Sequence, residues 1–121
     1  MSGKAPWKAG FTRHAEEDIL GIFTYIADRE GPDMAEAILE KFIRARDSLC
    51  QLPDRGRIPP ELKRVNVLLY REIQVQPYRV VYQINKTSHT VHIHIVADGR
   101  RNFNELLKER LLNLLSSTGS K

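Results

Sequence analysis

Apolar and polar positions alternate most regularly between Arg71 and Val96. Tyr78, Val80, Tyr82 and Ile84 interleave with Arg79, Val81 and Gln83. A period of two predicts a strand with one buried face, because successive side chains point to opposite sides of a pleated backbone. Ahead of it, Ile73 and Val75 alternate with Glu72, Gln74 and Gln76; after it, Val91, Ile93 and Ile95 alternate with His92, His94 and Val96. The Asn85-Lys86-Thr87-Ser88 stretch supplies the turn between the last two strands. Paired as an antiparallel meander, these strands place one arginine, two histidines, one glutamate and three glutamines on their second face.

The first half of the chain changes period. Thr12 can cap a helix over 12–30 whose stripe is Ile19, Ile22, Phe23 and Ile26, with Glu16, Glu17 and Asp18 near its N-terminal end. Gly31-Pro32 interrupts it. Asp33 with Glu36 three residues on has the form of a capping box for a second helix over 33–51, in which Met34, Ile38, Phe42, Ala45 and Leu49 recur at helical spacing. Residues 5–11, with Trp7 and Phe11, read as a short first strand. Pro53, Gly56, Pro59 and Pro60 mark a loop. Asn102 with Glu105 can cap a last helix carrying Leu106, Leu107, Leu111, Leu114 and Leu115. The fold class is α+β: a small antiparallel sheet of three or four strands, a helical hairpin packed on one face and a C-terminal helix. One domain over 1–121 is expected, with flexible tails at 1–4 and 116–121.

Composition narrows the function classes. No apolar run approaches the roughly 20 residues of a membrane span, and the start of the chain lacks a signal-like apolar core, so a cytoplasmic protein without a membrane partner is expected. A single cysteine, Cys50, excludes an internal disulfide and reads as a small buried hydrophobe. No zinc-ligand spacing is present and no metal or cofactor is expected. Charge is unevenly spread: residues 1–54 carry seven Lys/Arg against ten Asp/Glu, and residues 55–121 carry twelve against five. The basic half holds the strands, which suggests a polyanion or an acidic partner.

Several runs together resemble the RelE/ParE superfamily of bacterial toxins. They are Arg71-Glu72-Ile73, Pro77-Tyr78-Arg79-Val80-Val81-Tyr82 and Val96-Ala97-Asp98-Gly99-Arg100-Arg101, preceded by Ala15-Glu16-Glu17-Asp18-Ile19, Tyr25-Ile26-Ala27, Leu52-Pro53 and Gly56-Arg57. The resemblance spans about residues 9 to 115. It implies the toxin of a type II toxin–antitoxin (plasmid stabilisation) system, held by a cognate antitoxin. RelE-like members cut mRNA on the ribosome; ParE-like members poison DNA gyrase and are not nucleases. A degenerate toxin kept as antitoxin-binding co-repressor is a third reading.

RNA cleavage through the 2′-hydroxyl needs a base, an acid and cations on the developing phosphorane charge. Carried over by resemblance, Arg79 matches the strand arginine that binds phosphate, and Arg101 with Arg100 matches the basic position after the last strand. Glu61 falls near a catalytic glutamate, and Lys63 and Arg64 near lysines. Leu107 stands where RelE-like members have a tyrosine, so proton transfer is left to Glu61, His92 or His94. The polar sheet face favours an mRNA interferase. Leu107, Leu111 and Leu114 form an expected antitoxin-binding stripe, with acids of the partner meeting Arg100, Arg101 and Arg110.

Overall fold

The computed structural model describes residues 6–110. In chain order these form β1 (Lys8–Phe11), α1 (Arg13–Glu30), α2 (Pro32–Gln51), α3 (Pro60–Lys63), β2 (Tyr70–Val75), β3 (Tyr78–Asn85) and β4 (Thr90–Asp98), followed by a helix α4 described over 103–110. The strands make one sheet in the order β1-β4-β3-β2. The β2–β3 and β3–β4 pairs are antiparallel, whereas β1 runs parallel to β4 with Lys8 opposite Thr90 and Phe11 opposite Ile93. The expected all-antiparallel sheet is corrected at that edge.

The helical hairpin forms for the reasons its sequence gives. The Ala15 N–H donates to Thr12 Oγ1 at 3.2 Å, capping α1. Gly31 ends α1 and precedes α2, with φ at +97°, a conformation open to glycine. Pro32 occupies the first turn of α2, where its missing N–H costs nothing, and no side chain caps that end. The Asp33/Glu36 capping box therefore does not form. Ala15, Ile19, Phe42, Ala45 and Leu49 from the hairpin pack on Ile73, Val80, Tyr82, Val91, Ile93 and Val96 of the sheet. Phe42 and Tyr82 are essentially fully enclosed, and burying side chains of this size is worth roughly 1.5–3 kcal/mol each. Cys50 is half-buried, more exposed than expected.

Alternation in β4 reverses part-way. Val81 lies opposite Ile95 but Tyr82 lies opposite Ile93, so His94 is an extra residue, a β-bulge. Beyond it Val96 turns to the hairpin face, and Ile95 and Ala97 turn to the other. The second face is consequently a second core. Leu62, Val81, Ile95 and Ala97 pack there with Phe103, Leu106 and Leu107 of α4. The expected open polar face is covered by α3 and α4.

Asp18 secures the bulge. Its Oδ2 accepts the Val96 N–H at 3.0 Å, and its carboxylate takes two bonds of 3.0 Å from Arg110 of α4. Arg110 also donates to the His94 carbonyl. One carboxylate thus joins α1, β4 and α4. The neighbouring loop is tied at Gly56, whose N–H donates to Tyr82 Oη at 3.0 Å. A Cβ there would stand 2.5 Å from the Glu72 carbonyl oxygen, so this close approach requires glycine.

Candidate functional site

Arg79 sits at the centre of the second core. Its side chain is 10% exposed. Strand pairing places Glu72 diagonally across from it on β2, and α3 brings Glu61 over it. The guanidinium donates from Nε to Glu72 Oε1 at 2.7 Å and from both terminal nitrogens to Glu61 at 2.8 Å. The Phe103 ring lies under its Cζ at 3.9 Å, a cation–π contact. Gly99 lets the β4–α4 turn lie against its methylene stem, since a Cβ there would meet Arg79 Cγ and Cδ at 3.2 Å.

Glu72 is fully enclosed, and its second oxygen accepts from Arg57 Nε at 2.8 Å. Arg57 and Glu72 also exchange backbone bonds of 3.0 and 2.7 Å, which fold the 52–58 loop over the outer edge of β2. The result is a closed chain of charge, Arg57–Glu72–Arg79–Glu61. The paired bonds from Arg79 hold the Glu61 carboxyl at about 2 against an opposing effect of burial, so it is ionised and a weak base at neutral pH. The same Glu61 bonds, joined by Glu72, raise the Arg79 pKa above its ordinary value.

The histidines stand apart from this centre. Arg79 pairs with Ala97, while His92 pairs with Gln83 towards the other end of β4. His92 is exposed and lies 3.1 Å from Thr90 Oγ1. His94 is half-buried at the bulge, 3.2 Å from Gln83 Oε1 and edge-on to Tyr70. Burial, then the nearby His92 and Arg110, lower its pKa from 6.5 to about 4. The unfolded chain therefore takes up this proton at a pH where the folded chain refuses it. Its contribution is complete above about 6.5 and is lost as pH falls towards 4. Discounted for partial solvent exposure, the loss is on the order of 1–2 kcal/mol. Urea midpoints should fall between pH 7 and 4.5 for the native chain and fall much less for His94→Gln; equal slopes would remove the assignment. Glu61 acts in a lower window, from 4.5 towards 2.

Of the other expected site residues, Lys63 and Arg64 are exposed at the end of α3, and Arg101 is exposed after β4. Arg100 is held by Asp98 through Nε and Nη2. Arg110, expected to meet a partner's acids, is instead bonded to Asp18. Leu107 is 3% exposed within the second core, so its side chain is engaged inside the chain. Leu111, Leu114 and the expected tails at 1–4 and 116–121 lie outside the described residues. Among the described residues no group of three His, Cys, Asp or Glu could hold a metal, and no helix is long and apolar enough to cross a membrane. Sequence reasoning brought Arg79 and Glu61 together but missed Glu72, Arg57 and Phe103 as their shell. The available signal was Glu72 on the same sheet face as Arg79, a carboxylate that is costly to bury unless a cation meets it.

A broad groove opens where α1 and α2 pass the end of the sheet. Tyr25, Met34, Ile38 and Tyr78 line it, with Arg29 and Arg101 at its rim. Tyr25 and Met34 are about half exposed, at 59% and 49%.

Comparison with known proteins gives a consistent picture. The family described as ParE toxin of type II toxin-antitoxin system, parDE, matches residues 10–103. Among solved structures the chain is similar to the chromosomal ParDE toxin–antitoxin system from P. aeruginosa, with 17% identity, 76% of this chain and 95% of that chain covered, and a TM-score of 0.62. It is also similar to the RelBE2 toxin–antitoxin complex from Mycobacterium tuberculosis, with 21% identity, 77% and 98% covered, and a TM-score of 0.53. Both likenesses are of fold. No curated protein matches the sequence significantly.

Proposed function

The chain belongs to the ParE toxin family of type II toxin–antitoxin systems, and from that premise we propose that it arrests growth by seizing a protein target, DNA gyrase, without cutting RNA. The observation that carries this reading is the enclosure of Arg79. A phosphate-binding arginine must offer its fork to the substrate; this one spends it on Glu61 and Glu72 with 10% of the side chain exposed. The residue expected to act as base, Glu61, is pinned by the same arginine at a pKa of about 2. His94, with a pKa of about 4, is neutral at physiological pH and so poorly suited as an acid. Leu107 brings no proton donor. Arg79, Glu61, His94 and Leu107 are thus engaged within the chain's own packing, and the exposed His92, Lys63, Arg64 and Arg101 are left without the Arg79 fork to work with.

A cognate antitoxin is the second partner. The groove beside α1 and α2 suits it, because Tyr25, Met34, Ile38 and Tyr78 supply apolar area between Arg29 and Arg101. That chemistry asks for an amphipathic segment whose polar side carries both signs, because Glu17, Glu30 and Asp98 line the groove beside Arg29, Arg100 and Arg101. It replaces Leu107, whose side chain faces inward.

Purified protein incubated separately with gyrase and with translating ribosomes tests the mechanism. The expected result is trapped double-strand DNA breaks with intact mRNA; codon-positioned cuts in mRNA would overturn it. Expression without antitoxin should arrest growth, and normal growth would leave only the co-repressor reading.

A further inference from the structure

Three large apolar side chains crowd outward within five residues: Val65, Leu68 and Leu69, exposed at 65%, 53% and 67%. The backbone holds them there. Asn66 takes a left-handed φ of +61°, its N–H bonding back to the Lys63 carbonyl at 3.0 Å. The Val67 N–H bonds to the Leu62 carbonyl at 2.9 Å. Leu62, Val67 and Tyr70 are anchored in the second core. The intervening side chains are left on a fixed shoulder between α3 and β2.

The charges around the shoulder are of one sign in effect. Lys63 and Arg64 are exposed, whereas Arg57 is already paired with Glu72. The neighbouring acids, Glu61 and Glu72, are both bound to Arg79. Aliphatic anchors flanked by cations match an acidic protein surface with apolar side chains of its own. A single-stranded nucleic acid would call for exposed aromatic platforms, and the shoulder offers leucine and valine. The Arg57–Glu72 bridge occupies the outer edge of β2, so a partner docks by side chains and does not extend the sheet there.

We infer that the shoulder formed by Val65, Leu68 and Leu69, flanked by Lys63 and Arg64, is the docking surface for the toxin's acidic protein target. It shares no residue with the groove assigned to the antitoxin. In naming gyrase as that target the inference rests on the proposed function. Two surfaces for two partners separate toxicity from neutralisation.

The test uses the full chain carrying Leu68→Ser with Leu69→Ser, and separately Lys63→Glu with Arg64→Glu. Gyrase inhibition, growth arrest, affinity for the groove-bound antitoxin and the urea midpoint are measured for each. The expected result is a loss of gyrase inhibition and growth arrest of roughly tenfold or more. Antitoxin affinity stays within about twofold, and the urea midpoint is unchanged, because all four side chains are exposed. Undiminished gyrase inhibition by both variants would overturn the inference, as would a parallel tenfold loss of antitoxin affinity. If the native chain does not inhibit gyrase, the proposed function fails and growth arrest decides the shoulder alone. Arrest retained in both variants overturns it; arrest lost with antitoxin binding and folding intact supports it with another acidic protein as target.

Discussion

Arg79→Ala should destabilise the chain by about 3–5 kcal/mol, because it takes both hydrogen bonds from Glu61 and leaves the fully enclosed Glu72 with Arg57 alone. The expected readout is a urea midpoint lowered by roughly 1.5–3 M at a typical slope for a small domain. Replacing all three charges, Arg79→Met with Glu61→Met and Glu72→Met, should recover most of this, since apolar groups of similar length need no counter-charge and Arg57 is exposed enough to be solvated. Phosphate binding predicts a different outcome, a well-folded Arg79→Ala protein that has lost only activity. Growth assays on Arg79→Ala must therefore be read with its circular dichroism. Arg101→Ala is the contrasting variant, exposed and expected to move stability by no more than about 0.5 kcal/mol. A native-like midpoint for Arg79→Ala would show that the charge chain is not structural.

Asp18→Ala should cost about 3 kcal/mol and act at a distance. It leaves the Val96 N–H without its acceptor and Arg110, 13% exposed, without its counter-ion. The damage should concentrate in α4, which Arg110 ties to α1 and to the His94 carbonyl. Hydrogen exchange should speed most at 103–110 and least in α2. Asp18→Asn keeps an oxygen for the Val96 N–H but loses the charge, so a smaller loss is expected. Equal exchange across α4 in the native and Asp18→Ala chains would show that the ion pair adds nothing to its docking.

Most of the architecture is legible in the sequence because it rests on local periodicity. The stripes at Ile19, Ile22, Ile26 and at Ile38, Phe42, Ala45, Leu49 fix the hairpin, and the alternation through Tyr78 to Ile84 fixes β3 with Tyr82 opposite in face to Arg79. The family, too, is legible in the motifs around Arg79 and Arg101. Three features were not. A bulge is one extra residue and leaves no compositional trace, so His94 shifted Ile95 and Val96 to unexpected faces. A four-residue strand has no direction of its own, and β1 became parallel only through tertiary pairing. Arg79 and Glu72 read as surface chemistry because nothing near them in sequence announces α3 and α4 as their cover. Phe103, Leu106 and Leu107 carried that information, as a terminal helix with apolar side chains that the hairpin-facing core could not absorb.

The parallel partnership of β1 with β4 joins the first described strand to the last, Phe11 to Ile93. During synthesis at roughly 5–20 residues per second, the some eighty intervening residues take on the order of 4–16 s to appear. Until then β1 has no neighbour in the sheet and Thr12 has no Ile93 carbonyl to hold it. The β1–β4 pairing is distant in sequence and therefore slow to close, unlike the neighbouring β2–β3 and β3–β4 pairs. The nascent chain thus leaves the edge strand of its sheet unpaired for most of its own translation, and the sheet is complete only once β4 has emerged.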